Sequence, residues 1–332
     1  MRCPTLAELP PPPASKTGWP WTEETPALPD TTPDGKPWPR FSIVTPSYNQ
    51  ADFLEETIRA TLLQGYPDLE YIVVDGGSKD GSVEIIRRYE KWLAHWESEP
   101  DRGQTHAINK GFARATGEVC AYINSDDFHA KGAYQLVAQD FARHPRRQWL
   151  LGWCHMLGHE DDSQAQRPQI PTRRESWLFS NPVVQPAAFW KRALFDRLGL
   201  FDESLQFCFD YEFFARLVFN GVRCHALKGW TATFRFHGES KTEAQTARFY
   251  PEMETVRQRY LPLVPPGAQP KARLIAWMGR ETQSLWEARG LLREGEKTAA
   301  WKRFARAITH CPPNMATRFG LGTLRRLLQG KA

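Results

Sequence analysis

Ordered patterning begins at Phe41, where residues 41–45 form a short apolar run that stops at Pro46, the mark of a strand followed by a turn. Leu54, Ile58 and Leu62 then recur at helical spacing, with Asp52 and Glu55 at the start and Gly65 at the stop. A second run, 71–74, closes on Asp75-Gly76-Gly77-Ser78, and Val83, Ile86, Tyr89 and Leu93 mark the next helix. A weaker strand over 96–98 precedes Pro100-Asp101-Arg102-Gly103. A helix is predicted over 105–115, and a fourth strand over 119–123 ends in Asn124-Ser125-Asp126-Asp127. Such alternation predicts an α/β fold with a mostly parallel sheet flanked by helices. Right-handed crossovers point the four strands the same way. The polar residues that follow each strand therefore gather on one sheet edge, where open α/β sheets bind ligands.

The remaining pattern is more mixed. Strands are predicted over 149–154, 183–190 and 221–226, and a helix over 210–219. From residue 272 helices dominate, and Trp286, Leu291, Leu292, Trp301, Phe304, Ala307 and Ile308 suggest a helical hairpin. Residues 1–40 hold 11 of the chain's 26 prolines, so this segment is expected as an extended arm draped on the body. Its Trp19, Trp21 and Trp38 suggest that it docks. The chain thus divides into an N-terminal arm (1–40), an α/β domain (41–245, with halves 41–128 and 129–245) and a helical C-terminal extension (246–332).

Composition narrows the classes. With 41% hydrophobic and 24% charged residues, a wholly disordered chain is excluded. No apolar run approaches the roughly 20 residues of a membrane span, and the proline-rich start lacks the apolar core of a secretory leader; the expectation is a cytoplasmic protein. The net charge of +5 is uneven: residues 271–332 carry 13 Lys/Arg against 4 Asp/Glu. That excess fits a solvated helix face or peripheral contact with the anionic inner face of a membrane; nucleic acid is not an expected partner. The six cysteines show no CxxC pair, so neither a redox pair nor a zinc ribbon is expected. Cys120 and Cys224 read as buried thiols. Cys154 and His155, adjacent on a strand, point to opposite faces and do not suggest a metal site.

Four segments carry candidate chemistry. Asp126 and Asp127 at a strand end suit Mg²⁺ or Mn²⁺ bridging to phosphates, with a solvated turn as the plainer explanation. In Asp75-Gly76-Gly77-Ser78-Lys79-Asp80-Gly81 the glycines allow close backbone approach and Asp75 is an acceptor for a base N–H or a ribose hydroxyl; Asp80 fits a helix cap. Walker and GxGxxG patterns are absent. Asp210 and Glu212 open an otherwise apolar helix, either as dipole-favoured caps or as a general base among aromatics. Arg235-Phe236-His237-Gly238-Glu239-Ser240-Lys241 clusters groups suited to a diphosphate.

In order and spacing these segments resemble the family 2 inverting glycosyltransferases with a GT-A, Rossmann-like fold. The resemblance spans about residues 41–240 and is carried by Ser42 to Gln50, Tyr71 to Ser78, Ser98 to Gln104, Ala107 to Gly111, Ala115 to Glu118 and Asn124 to Asp127. It implies a nucleotide diphosphate sugar donor, UDP-linked by preference, a divalent metal, and a glycan or lipid-linked acceptor. By position, Pro46, Tyr48 and Asp75 would hold the base and ribose, and Asp101 and Gln104 would lie beside the donor. Asn124, Ser125 and Asp126 stand where the family carries its DxD motif, with Asn replacing the first acid. Asp126 is then the metal ligand, Asp127 assists, and His237 and Lys241 meet the metal or diphosphate. Asp210 matches the general base; Phe209 precedes it where Glu is usual, which keeps Glu212 as second candidate. Trp177, Asn181, Gln185 and Trp190 are expected near the acceptor, with core packing an equal alternative for Trp190. Asn124 and Phe209 also leave open a sugar-nucleotide-binding protein without turnover. A nucleotidyltransferase is disfavoured because the glycine- and arginine-rich loop is missing, and a processive synthase because no QxxRW motif occurs.

Overall fold

In the computed structural model, residues 1–158, 165–238, 240–241, 245–293 and 295–329 are described. The chain forms two compact units, one of residues 1–170 and 183–237, the other of residues 171–182 and 238–332.

The first unit is built on a single mixed sheet. Its strands are β1 (Phe41–Ser47), β2 (Leu69–Asp75), β3 (His95–Ser98), β4 (Val119–Tyr122), β5 (Phe128–His129), β6 (Trp149–Leu157), β7 (Ala165–Gln166), β8 (Ala188–Lys191) and β9 (Cys224–Arg235). Their order is β3-β2-β1-β4-β8-β6-β9-β5, with β7 beside β6. β3, β2, β1 and β4 are mutually parallel, as the alternating pattern predicts. Beyond β4 the sheet turns mixed, because β8 runs antiparallel to both β4 and β6, β9 parallel to β6, and β5 antiparallel to β9. This arrangement brings the C-terminal ends of β1, β2, β3, β4, β6 and β9 to one edge. Strand order reverses between β2-β1 and β4, a topological switch point at that edge.

Helices α1 (Ala51–Leu62), α2 (Ser82–Tyr89), α3 (Gln104–Arg114), α4 (Ala133–Arg143), α5 (Ala193–Leu198) and α6 (Phe209–Phe219) complete this unit. Leu54, Ile58 and Leu62 of α1 join Ile43, Tyr71, Val73, Ile86 and Val137 in one continuous apolar layer. A second cluster is almost entirely aromatic: Trp190 lies 5.3–6.1 Å, centroid to centroid, from Phe112, Phe195, Phe201 and Phe213. Trp190 is wholly buried there, so it packs the core and does not line an acceptor pocket. At Gly111 of α3 any Cβ would run into the Val44 side chain, which is how the helix approaches β1 so closely.

The proline-rich arm is folded onto the body. Cys3, Leu9 and Trp38 belong to the apolar layer, and backbone bonds run from Cys3 N to Tyr66 O (2.9 Å) and from Thr25 N to Leu63 O (2.9 Å). Its main anchor is Arg59 of α1, which is completely buried. Nε donates to Pro20 O (3.2 Å), Nη1 to Pro10 O (2.7 Å) and to the Tyr89 hydroxyl (3.1 Å), and Nη2 to Trp21 O (3.2 Å). Prolines leave carbonyls without a regular partner, and an arginine fork is the side chain that can collect several of them. Trp19 Nε1 donates to His129 O (3.0 Å), and Trp38 Nε1 to Pro29 O (3.0 Å). All six cysteines are free thiols, and five of them are buried.

The second unit contains helices α7 (Thr246–Tyr260), α8 (Gln269–Arg293), α9 (Lys297–His310) and α10 (Arg318–Gln329). Leu285, Ala288 and Leu292 of α8, Phe304 and Ala307 of α9, and Leu327 of α10 form its core. Among the described residues no helix is long and apolar enough to cross a membrane.

Candidate functional site

Two groups of side chains assemble on the strand-end edge. The first surrounds the ends of β1 and β2. Pro46 is buried inside β1, in register with Val74. A proline in a central strand normally costs a ladder bond. Here Ile123 N donates to Val44 O, the last bond on that side, so β4 has already left the ladder where Pro46 lacks an N–H. Pro46 thus ends β1–β4 pairing rather than presenting a surface. Tyr48, just beyond, is 63% exposed. Asp75 is fully buried and turned inward: its carboxylate accepts from Gly77 N (3.1 Å), Ser78 N (2.8 Å), Ser78 Oγ (2.5 Å) and Ser98 Oγ (2.7 Å). Those bonds shape the loop after β2 and link it to β3. Gly76 sits between Tyr48 and Asp101. A Cβ there would lie 2.9 Å from Asp101 Oδ2 and 3.2 Å from the Tyr48 ring. Asp101 is half-buried and accepts from Gly103 N (2.7 Å).

The second group surrounds the loop between β4 and β5. Gln104 Nε2 donates to Asn124 Oδ1 (2.6 Å), which ties the start of α3 to this loop. Asp126 Oδ2 accepts from His237 Nε2 at 3.1 Å, and both side chains are partly open to solvent. Asp127 lies inward. Its Oδ1 accepts from Arg235 N (2.9 Å) and its Oδ2 from Asn124 Nδ2 (3.4 Å). Burial, and then the neighbouring charge of Asp126, hold the Asp127 carboxyl well above the usual carboxylate range. Of the three expected metal ligands, then, two face each other and the third organises the loop. Among the described residues no group of three or more His, Cys, Asp or Glu stands in a metal-binding arrangement. Asp126 and His237 still suit an ion. Two bonds of about 2.1 Å at a right angle span roughly 3 Å, close to their separation, and carboxylate with imidazole suits Mn²⁺.

Near the switch point lies the start of α6. Asp210 is half-buried, and its Oδ1 accepts Tyr211 N (2.7 Å). Burial raises the phenol of Tyr122 far above its ordinary value, with the charges of Asp210 and Asp127 adding to the rise; both carboxyls thus surround one buried ring at the end of β4. Glu212 is buried and paired with Arg216 Nη2 at 3.0 Å. Arg216 also caps the carbonyls of Leu198 and Leu200 at 2.6 and 2.7 Å. Gln185 Nε2 donates to Tyr122 O (2.8 Å) from a buried position. Trp177, Asn181 and Lys241 belong to the second unit; Trp177 is buried and donates to Pro171 O (3.3 Å), and Lys241 is exposed. Glu239 lies outside the described residues.

The loop is held by Arg235, which the sequence places only within the diphosphate-suited segment, and by α1 residues to which the sequence assigns no role. Arg235 Nε donates to Asp126 O (3.0 Å) and Nη2 to Glu56 Oε2 (2.8 Å). Thr57 Oγ1 donates between Ser125 O (2.9 Å) and Asp127 O (2.6 Å). Phe53 packs on the His237 ring at 4.6 Å. Phe53, Glu56 and Thr57 follow i, i+3, i+4 spacing and so share one face of α1. That spacing, with polar residues inside an apolar stripe, was the available signal.

Known proteins resemble this chain in sequence and in fold. The family model described as Glycosyl transferase family 2 matches residues 42–188. An uncharacterized glycosyltransferase of Mycobacterium tuberculosis is 31% identical over 183 residues, 54% of this chain and 68% of the relative. TuaG of Bacillus subtilis, a glycosyltransferase named for teichuronic acid biosynthesis, is 31% identical over 179 residues, 42% of this chain and 71% of the relative. Among solved structures, Staphylococcus aureus TarS 1–349 in complex with UDP-GlcNAc superposes with TM-score 0.60 at 17% identity, over 88% of this chain and 92% of that one. The mannosyltransferase PcManGT of Pyrobaculum calidifontis, in complex with GDP-Man and Mn²⁺, does so with TM-score 0.57 at 19% identity, over 94% and 92%. At these identities the structural likeness speaks to the fold, which is GT-A.

Proposed function

The chain belongs to glycosyl transferase family 2 and is a glycosyltransferase, and on that premise we propose that it transfers a sugar, with inversion, from a nucleotide diphosphate sugar to a hydroxyl of a glycan or lipid-linked acceptor. The observation that carries the reading is the pairing of Asp126 with His237 on the same sheet edge as the exposed Tyr48 beside Gly76 and Asp101. Tyr48 offers a ring for a nucleobase to stack on, and Gly76, having no Cβ, lets that ring and Asp101 close up against the loop. Asp75 works from behind, by fixing the loop. Residues 41–128 form the donor half of a domain that runs to 245, and residues 129–245 supply the acceptor half.

Asp126 and His237 would hold the divalent ion, which, when bound, supplies positive charge against the departing diphosphate. Asn124, held by Gln104, borders that position. Asp210 takes the proton of the acceptor hydroxyl as its oxygen attacks the anomeric carbon, and the nucleoside diphosphate leaves from the opposite face. A base so placed contributes roughly 10²–10⁴-fold in rate. Glu212 is engaged by Arg216 and serves the structure. UDP is the first donor nucleotide to test, since TarS was solved with UDP-GlcNAc; GDP is the second, from PcManGT with GDP-Man. The acceptor class follows TuaG, named for teichuronic acid biosynthesis.

In the second unit Trp286, Trp301, Leu321 and Leu328 are exposed within a stretch rich in Lys and Arg. That combination supports peripheral contact with an anionic membrane; absence of co-flotation with anionic vesicles would exclude it. The central experiment is calorimetric titration of UDP, GDP and dTDP with and without Mn²⁺. Metal-enhanced binding of one nucleotide, lost in Asp126→Ala, is expected. No binding by any of the three would overturn the donor site.

A further inference from the structure

We infer that Glu56 of α1 and Arg235 at the end of β9 form a positioning pair that sets Asp126 and His237 for a metal-bound diphosphate. The inference rests on the donor-site reading above and extends it to residues that touch neither donor nor metal.

Arg235 joins segments far apart in the chain. Its backbone N–H holds Asp127, its Nε holds the Asp126 carbonyl, and its Nη2 pairs with Glu56. Its guanidinium lies over the Phe53 ring at 5.0 Å and near that of Phe128 at 5.5 Å. Two residues later the chain places His237, whose ring also packs on Phe53. One arginine therefore fixes both arms of the Asp126–His237 pair, the loop by hydrogen bonds and the strand exit through its own backbone. Thr57, one residue after Glu56, fixes the same loop from the helix side.

Charge gives Glu56 a second task. A guanidinium beside a cation site repels the cation, and this one is only 17% exposed, so water screens it poorly. Glu56, itself 14% exposed, neutralises it at 2.8 Å. Removing the carboxylate leaves a fixed positive charge next to Asp126 and frees the guanidinium to turn towards that carboxylate. Outer-sphere groups of this kind typically change metal affinity by about 10–100-fold. A purely structural ion pair would lower the melting temperature and leave metal affinity alone.

The test uses the full chain and two calorimetric titrations: the nucleotide without metal, and Mn²⁺ into protein saturated with that nucleotide. For Glu56→Gln the expected result is Mn²⁺ affinity weakened at least tenfold, with metal-free nucleotide affinity within about twofold of wild type. Glu56→Asp, which keeps the charge, should recover most of the loss. Arg235→Lys, which keeps the charge but cannot bond Glu56 and Asp126 O as a fork, should fall between; it provides the same readout should Glu56→Gln fail to fold. Mn²⁺ affinity unchanged in a folded Glu56→Gln protein, while the wild type binds nucleotide and metal, overturns the pair alone. A wild type that binds no nucleotide overturns the donor reading and this inference with it.

Discussion

Replacing Arg59 with Met should detach the proline-rich arm while retaining most of the packing volume of the side chain. Arg59 is completely buried and makes four hydrogen bonds, three to arm carbonyls and one to Tyr89. Its guanidinium also lies 5.5 Å from the Trp21 ring centroid. Hydrogen bonds to a charged group are each worth about 1.5–3 kcal/mol, but their sum is an upper bound because the bonds share one group. The Tyr89 hydroxyl, which accepts from Arg59, in turn donates to Glu55 Oε1 at 2.7 Å, so a carboxylate closes the chain of bonds. Leaving buried acceptors without a donor costs about 1–3 kcal/mol each, so a net loss of about 3–5 kcal/mol is expected once the arm partly rehydrates, which for a unit of this size lowers the melting temperature by roughly 10 °C. Thermal unfolding followed by circular dichroism measures the loss, and limited trypsin digestion reports the arm, whose Lys16–Thr17 bond should become an early cleavage site. A loss below about 1 kcal/mol with the arm still protected would refute the assignment of Arg59 as its anchor.

Three further outcomes follow from the same geometry. Asp210→Asn should lower kcat by about 10²–10⁴-fold with donor affinity kept, whereas Glu212→Gln should cost stability by leaving Arg216 without its partner; product-release kinetics and melting curves separate the two. Gly76→Ala places a Cβ 2.9 Å from Asp101 Oδ2, so nucleotide affinity should drop at least several-fold in calorimetry, with the fold intact. At Glu97, burial works against ionisation, but hydrogen bonds from Lys110, His95 and Arg114 prevail and bring the carboxyl down to about 2. A depressed carboxylate stabilises the fold fully above its ordinary value near 4.5 and loses that contribution as pH falls to about 2. Glu97→Gln should therefore cost about 1–3 kcal/mol at neutral pH and flatten the stability decline between those limits, as read by denaturation at stepped pH.

Which parts of this were legible follows from what each signal depends on. β1 to β4 and the helices between them were readable because apolar period and turn residues agree there; β1, β2 and β3 extend a residue or two further, β1 through Pro46 because its nitrogen needs no partner, whereas β4 stops at Tyr122, short of the expected 123. The strand predicted over 183–190 begins only at Ala188, since Pro186 sits in a short 3₁₀ turn, Gln185–Ala187. The strand expected over 221–226 starts only at Cys224 but runs on to Arg235, because the pairing of β9 with β6 overrides polar Lys228 and Gly229. β5 and β7, two residues each, carry no periodic signal at all. α7 opens the extension expected to be helical from 246, although Pro251 lies inside it. At the site, Asp126 and His237 were found from residue type. The bond from Ser98 to Asp75 and the grip of Arg235 on Asp127 join positions more than twenty residues apart and become visible only once the sheet is closed.

The two ends of the broad sheet carry a consequence for solubility. β3, the outermost strand on one side, has only four residues, and its His95 and Glu97 are engaged by Arg114 and Lys110 of α3. At the other end β5 is two residues long. Short, charge-guarded termini offer little template for another chain to add a strand. A sheet of this width thus avoids edge-to-edge polymerisation through its margins alone. Lengthening β3 with β-branched residues, or neutralising Lys110 and Arg114, would expose a pairing edge and favour edge-to-edge association.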